Sequence, residues 1–137
     1  FDLGVWSVHE LPASLKAYER GRALGEDMLE VLSAARLTIN TNGDFMRYGG
    51  NMRLFEAAAV GALQLVDDVP GVHQWFTPGE NIVTYSDHDD LRARARYYLE
   101  HETERVALAQ RAREHVYAHH TYDQRAQRLD ELLADMG

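Results

Sequence analysis

The stretch from Asn51 to Gly71 constrains the fold more than any other part of the chain. Its first half repeats apolar residues at helical spacing, Gly61 stands where a helix would end, and residues 62–66 form an apolar run of strand length. The apolar helix positions are Met52, Phe55, Ala58 and Ala59. The pattern predicts a helix that leads directly into a buried strand.

Glycines precede this helix. Gly43, Gly49 and Gly50 leave the backbone free to approach another group closely. The N–H groups in the first turn of the following helix can then face an anion. The arrangement is typical of a phosphate site, but glycine near a helix start is a weak indication by itself.

The size and charge of the chain limit its function. With 137 residues, 45% of them hydrophobic, residues 1–137 are expected to form one domain around one core. The chain has 14 basic and 22 acidic residues, a formal charge of −8. This balance argues against a surface built for nucleic-acid phosphates or anionic lipids.

The chain has no cysteine, which excludes disulfides and thiolate metal sites and fits a cytosolic protein. No apolar run approaches membrane-spanning length, and no signal peptide is visible. The chain opens on Phe1, inside an apolar segment rather than on Met. We therefore expect it to be a fragment of a longer polypeptide.

The remaining elements predict an α/β fold. We expect a strand in residues 1–7, a short helix after Pro12 and a helix over 26–36, followed by elements at 37–40 (strand), 72–76 (helix) and 81–85 (strand). Three helices follow, the first capped by Asp87 or His88. This order predicts a parallel sheet with helices on both faces, ending in several helices.

In sheets of this kind, ligands bind beyond the carboxyl ends of the strands. The loops at residues 40–51, 67–71 and 86–87 all follow predicted strands. We expect these three loops to converge on one ligand.

Several ordered motifs carry a resemblance to a known family. They are the run from Asn51 to Ala62 (NMRLFEAAAVGA), Asp67-Asp68 with Pro70-Gly71, Pro78-Gly79-Glu80-Asn81, Tyr97-Tyr98-Leu99, and His120-Thr121-Tyr122 with Arg125. At these separations they resemble the C-terminal domain of group 1 glycosyltransferases. More narrowly, they are similar to the branch related to the spore-maturation protein CgeB, and the similarity extends from about Met28 to Leu133.

The resemblance implies a GT-B-type glycosyltransferase built from two Rossmann-like domains. This chain would be the second domain, which binds a nucleotide-sugar donor such as a UDP- or GDP-sugar. An N-terminal domain outside this sequence would bind the acceptor. The resemblance implies neither a cofactor nor a metal.

The resemblance also implies donor-binding residues. Glu56 stands at the position whose carboxylate binds the ribose hydroxyls, and an ionised carboxylate accepts two such bonds well. Arg53 and the N–H groups of Asn51 and Met52 would meet the diphosphate. The remaining candidates are Gly49 and Gly50, which would permit that approach, and Asn42. No catalytic residue is assigned.

One position departs from the family pattern. Many group 1 enzymes carry a second glutamate about eight residues before the one that matches Glu56, next to the transferred sugar. Here that position is Tyr48, with Gly49 beside it. The usual sugar contact is therefore not implied, nor is retention or inversion at the anomeric carbon.

Simpler interpretations exist for most of these residues. Arg53 would commonly pair with a surface acid, Asn51 is typical of a helix N-cap, and Asn40 and Asn42 are ordinary turn residues.

Two further clusters have simple interpretations. The spacing of His115 and His119, with His120 adjoining, permits zinc binding, but a solvated surface is the favoured interpretation. Asp67 and Asp68 are neighbours at a strand end and should point in opposite directions, which disfavours joint acid–base work.

Two other functions stay open. One is a non-catalytic ligand-binding or interaction module of flavodoxin-like shape, which the Tyr48 departure keeps plausible. The other is a GT-B-type sugar-nucleotide epimerase, which would use the same donor site with water.

Overall fold

A computed structural model describes residues 2–43, 46 and 48–136. The expected strand over residues 1–7 is reduced to a short strand, and Phe1 lies outside the described residues, as do positions 44, 45 and 47 of the predicted ligand loop. The elements are β1 (Val5–Trp6), β2 (Glu19–Gly21), α1 (Glu26–Ala34), β3 (Thr38–Asn40), α2 (Arg53–Ala59), β4 (Gln64–Asp67), α3 (Val72–Trp75), β5 (Val83–Tyr85), α4 (His88–Glu100), α5 (Glu102–His119) and α6 (Tyr122–Asp135).

The main sheet is parallel, as the sequence predicts, in the order β3-β4-β5. Leu65 at its centre lies beside Ile39 on one side and Val83 on the other. Residues 64–66 of β4 are buried because helices cover both faces of the sheet, which explains the continuous apolar run in the sequence. The α/β fold with terminal helices is thus confirmed.

The first strand does not join this sheet. β1 pairs in parallel with β2, and the Ser7 N–H donates to the Gly21 carbonyl. Strand β2 was not predicted because its polar residues carry no apolar alternation, and its pairing rests on the backbone. The short helix expected after Pro12 is a single 3₁₀ turn at Lys16–Tyr18.

The core lies on both faces of the main sheet. On one face, Val66 packs with Leu54 and Ala58 of α2, Val72 of α3, Phe76 directly after α3, Ala112 and Val116 of α5, and Ile82 before β5. On the other, Leu65 packs with Leu63, Val83, Tyr85, Leu108 and Ala109. Helix α5 contributes to both clusters and therefore ties the two faces together.

Helix α2 packs against the rest of the domain through alanines. Ala57 and Ala58 are fully buried, and side chains this small allow the helix to lie close to its neighbours. The helix ends as predicted at Gly61, whose φ of +78° suits glycine. The N–H groups of Gly61 and Ala62 donate to the carbonyls of Ala58 and Ala57. These bonds end the helix just before β4 begins.

Two of the three terminal helices, α4 and α6, begin with a side-chain cap. The Asp87 carboxylate accepts the N–H groups of Asp89 and Asp90, which confirms the predicted cap of α4. Thr121 and Gln124 form a reciprocal capping box at the start of α6. Leu129 and Leu133 on α6 are exposed. Within the described part of the chain, no helix has the length and apolar character needed to cross a membrane.

Candidate functional site

A ladder of hydrogen-bonded polar side chains runs from Gln64, at the start of β4, to the carboxyl edge of the sheet; its other members are Asn40, Asn42, Asn51 and Asp67. Asn40, at the end of β3, is 4% exposed, and Gln64 of β4 is 2% exposed. Asn40 Nδ2 donates to Gln64 Oε1 over 3.3 Å, and Gln64 Nε2 donates to the Leu54 carbonyl over 2.6 Å. Buried amides need such partners, so the ladder joins β3, β4 and the first turn of α2.

Asn51 belongs to this ladder and does not cap the helix. Its Nδ2 donates to Asn40 Oδ1 over 2.8 Å, and Asn40 Nδ2 donates back to Asn51 Oδ1 over 3.1 Å. Helix α2 begins at Arg53, and Met52 at its N-cap makes no side-chain cap. The predicted N-cap role of Asn51 is therefore wrong, because buried amide partners hold its side chain instead.

Asn42 and Asp67 continue the ladder into the glycine loop. The Asn42 backbone N–H and Nδ2 both donate to Asp67 Oδ1, over 3.0 and 2.8 Å. Asn42 Oδ1 accepts from the Gly50 N–H over 3.2 Å and from Asn51 Nδ2 over 3.3 Å. Asn42, predicted as an ordinary turn residue, thus links the end of β4 to the start of α2.

The glycines of this loop are required by packing within the protein. Gly49 and Gly50 have φ values of +81° and +94°, and a Cβ would lie 2.1 Å from a Val69 methyl carbon at Gly49 and 2.0 Å from the Trp75 ring at Gly50. A Cβ on Gly71 would lie 2.2 Å from the Tyr48 carbonyl oxygen. Loops 40–51 and 67–71 therefore converge, as predicted.

The third predicted loop serves another purpose. The Ser86 N–H donates to the Asp90 carboxylate, and Asp87 caps α4. Both residues are therefore occupied in starting α4. Directly before them, the Tyr85 carbonyl accepts the backbone N–H of Asp68 over 2.9 Å, so this loop begins beside loop 67–71.

Glu56 and Arg53 lie one turn apart on α2 and face each other. Arg53 Nε is 3.8 Å from Glu56 Oε2, and the side chains are 40% and 30% exposed. Arg53 thus pairs with an acid, as its simpler interpretation suggested, but that acid is the other candidate. Both groups remain open to solvent, and Tyr48 and Met52, in the segment that leads into the helix, are 69% and 62% exposed.

An aromatic cluster surrounds Phe55, the residue before Glu56 on α2. The Phe55 ring packs edge-on against Trp75 and His120, with centroid distances of 5.8 and 5.1 Å. The Arg125 guanidinium carbon lies 4.9 Å from the Phe55 centroid. The residue next to Glu56 is therefore fixed to α3 and to the junction of α5 and α6.

The histidines belong to this cluster rather than to an open surface. His115 Nε2 lies 2.6 Å from the Trp75 carbonyl oxygen, and His120 Nε2 lies 3.3 Å from His115 Nε2. Burial, followed by the nearby His115, lowers the pKa of His120. The expectation of a solvated surface is wrong for His115 and His120, which are partly buried, whereas His119 is exposed.

Two cavities lie away from this edge. One, of about 390 Å³, is lined by the ends of α1 and α2 and by α5; the other, of about 320 Å³, is lined by Glu80, Asn81 and residues of α5. Neither is lined by residues 49–56. The candidate site is an open edge.

Sequence reasoning missed Asp67 and Gln64 as parts of the site. Gln64 gave a usable signal, because it is a polar residue inside the apolar run of β4 and must find partners there. The Asp67–Asn42 contact spans 25 positions and gave no local signal. The predicted separation of Asp67 from Asp68 is confirmed, since Asp68 pairs with His73.

Comparison with known proteins places this geometry in context. Residues 3–131 match a protein family described as glycosyl transferase-like. The match includes the whole ladder, the glycine loop, Arg53 and Glu56. No curated protein matches the chain in sequence.

Proposed function

Since this chain belongs to the glycosyl transferase-like family, we propose that it binds the nucleotide-sugar donor of a glycosyltransferase. The reaction transfers a sugar from a nucleoside diphosphate to an acceptor. Within the family, we assign the chain to the branch related to CgeB. The support for donor binding comes from the carboxyl edge of the sheet.

The observation that carries the proposal is the placement of Glu56. Its carboxylate is 30% exposed on a helix whose other face is buried and whose first turn directly follows the glycine loop. A carboxylate held in this way can accept both ribose hydroxyls of a nucleotide, and charged acceptors make stronger bonds than neutral ones. Glu56 is the group we assign to the ribose.

Arg53 is assigned to the diphosphate. Its 3.8 Å pairing with Glu56 is long and partly exposed, so little free energy opposes its turning towards a phosphate. The guanidinium offers a fork of donors that matches phosphate oxygens. The backbone N–H groups of Asn51 and Met52 would add donors as charge builds on the leaving nucleotide.

Gly49, Gly50 and Asn42 are assigned to shaping the loop around the diphosphate. The Gly50 N–H already donates to Asn42 Oδ1, and both glycines lie against protein side chains. Their contribution is therefore a backbone path that only glycine can follow. Asn42 holds this path in place from the side of β3.

The open edge favours a donor site completed by a second domain. We propose that an N-terminal domain of the same polypeptide supplies the acceptor side and any catalytic base. In this arrangement the present domain binds the donor and does not turn it over alone. Two-domain closure would also exclude water from an edge that is open here.

Calorimetric titration tests the assignment of Glu56. UDP, GDP and their sugars are titrated into the wild type, Glu56→Ala and Glu100→Ala, the last an exposed carboxylate at the end of α4. Glu56→Ala should lose about 1–3 kcal/mol of binding free energy, and Glu100→Ala should bind like the wild type. Equal binding by all three proteins would contradict the assignment.

The products distinguish the transferase from its alternatives. Full-length protein is incubated with the best-binding nucleotide sugar, with and without candidate acceptors. An epimerase changes the sugar without an acceptor, whereas a transferase forms product only when one is present. A binding module leaves the sugar nucleotide intact in both cases.

A further inference from the structure

We propose that Asp67 is the positioning residue of the donor site, and that it acts through Asn42 without touching the donor. This inference rests on the proposed donor-binding function. It concerns how the loop at Gly50 and the first turn of α2 acquire their geometry. The sequence had left Asp67 without a role.

The contact with Asp67 holds both the backbone and the side chain of Asn42. Asp67 Oδ1 accepts from the Asn42 backbone N–H over 3.0 Å and from its Nδ2 over 2.8 Å. One carboxylate oxygen thus holds both the main chain and the side chain of the same residue. Bonds to an ionised acceptor are stronger than neutral ones, which makes this the firmest point of the ladder.

The carboxylate also sets which way the Asn42 amide faces. Because Nδ2 is drawn to Asp67, Oδ1 must face the opposite way, where the Gly50 N–H and Asn51 Nδ2 both donate to it. A reversed amide would place its NH₂ group against these two donors. A carboxylate accepts and cannot donate, so Asp67 permits only one orientation.

This polarity continues through the rest of the ladder. With its Nδ2 directed to Asn42 and Asn40, Asn51 presents Oδ1 to Asn40 Nδ2. Asn40 then donates to Gln64, which donates to the Leu54 carbonyl in the first turn of α2. The orientation chosen at Asp67 therefore reaches the helix that carries Arg53 and Glu56.

Asp67 is expected to affect donor binding through the direction of the Gly50 N–H. Asn42 turns this N–H into the protein, which fixes the peptide before Asn51 and the direction in which the backbone enters α2. Asp67 itself is poorly suited to touch a diphosphate, because two negative groups in contact repel each other. Its effect on donor affinity thus passes through the loop.

Paired variants of the full-length protein test this mechanism. Asp67→Asn keeps an amide oxygen that accepts the same two bonds but removes the charge, whereas Asp67→Ala removes the acceptor. Asp68→Ala is the matched control, since Asp68 bonds only to His73 among the described side chains. Donor affinity is measured by titration, and exchange of the Gly50 amide hydrogen by NMR or mass spectrometry.

We expect Asp67→Ala to speed Gly50 exchange and weaken donor binding, each by about 10-fold or more, which corresponds to one lost hydrogen bond of about 1.4 kcal/mol. Asp67→Asn should restore both to within about 3-fold of wild type, and Asp68→Ala should change neither. Exchange in α4 and α5 should stay unchanged in all three. Asn42→Ala, which removes the oxygen that receives the Gly50 N–H, should reproduce Asp67→Ala and serves if that variant fails to fold.

Two results would overturn the inference. Normal Gly50 protection in both Asp67→Ala and Asn42→Ala would show that the loop does not depend on this contact. Donor affinity lost equally in Asp67→Asn and Asp67→Ala would show that charge or direct contact matters instead. If the wild type binds no nucleotide, the proposed function fails, while Gly50 exchange still decides whether Asp67 positions the loop.

Discussion

The side-chain amides of Asn40 and Asn51 hydrogen-bond to each other in both directions, over 3.1 and 2.8 Å. This reciprocal pair joins the last residue of β3 to the segment that enters α2. The chain between them contains the glycine loop, whose ends are thereby held together.

Asn40→Ala should destabilise the fold by about 1–3 kcal/mol, because it removes hydrogen-bond partners from the buried amide of Gln64 and the half-buried amide of Asn51. The free energy of unfolding is measured by urea denaturation. Gln127→Ala, at an exposed position of α6, is the control and should stay close to wild type. Wild-type stability in Asn40→Ala would mean that water replaces the lost bonds without penalty.

Gly71→Ala and Gly79→Ala separate steric clash from backbone strain. Gly71 has an ordinary φ of −66°, but a Cβ there would lie 2.2 Å from the Tyr48 carbonyl oxygen. Gly79 has a φ of +82° and open space around it. Gly79→Ala should cost about 1–2 kcal/mol, and Gly71→Ala should cost more because backbone must move. Thermal unfolding ranks the two variants, and the reverse order would contradict the tight loop contact.

The stability of the fold should depend on the ionisation of His120. Burial and then the neighbouring His115 lower its pKa in the folded chain. The unfolded chain takes up a proton near the usual pKa of about 6.5, which the folded chain resists. Stability is therefore greatest above that pH and falls as the pH drops through it. The loss levels off below the folded-state pKa.

His120→Phe keeps an aromatic ring beside Phe55 and removes the titration. Its unfolding free energy, measured by urea denaturation between about pH 7.5 and 5, should fall less steeply than that of wild type. His88→Gln, at the exposed start of α4, should keep the wild-type slope. Parallel slopes for all three proteins would show that His120 titrates alike in the folded and unfolded chains.

Thr38→Val should be neutral or stabilising. The Thr38 hydroxyl is buried and has no hydrogen-bond partner among the described residues. Replacing it with a methyl group removes an unsatisfied polar atom at nearly constant shape and suits a strand. The melting temperature of Thr38→Val should not fall below that of the wild type. Thr84→Val, at a partly exposed position of β5, is measured for comparison. A clear loss of stability at Thr38 would indicate a bound water.

Most elements of the main sheet were predictable because local patterns specify them. The helix before Gly61, the buried strand β4 and the Asp87 cap all follow from spacing or end signals within a few residues. Strand β2 was not predictable, since Glu19 and Arg20 give no apolar period and its pairing depends on the backbone of β1.

The site was predictable only in part. Convergence of two loops follows from parallel topology, but the roles of Asn42 and Asn51 depend on which side chains meet across that edge. Asn51 has the character of an N-cap, yet its side chain bonds instead to the amides of Asn40 and Asn42 across the edge of the sheet. The binding roles of Glu56 and Arg53 remain predictions for the titrations above.

The close packing of α2 through its alanines affects how the domain can respond to a ligand. With Ala57 and Ala58 in full contact with their surroundings, the helix has no slack in which to tilt or slide. Under the proposed donor-binding function, we expect adjustment to the ligand to come from the long side chains of Arg53, Met52 and Tyr48, the last two of which are 62% and 69% exposed. We therefore expect side chains at this edge to move when a ligand binds, while the helix backbone stays in place.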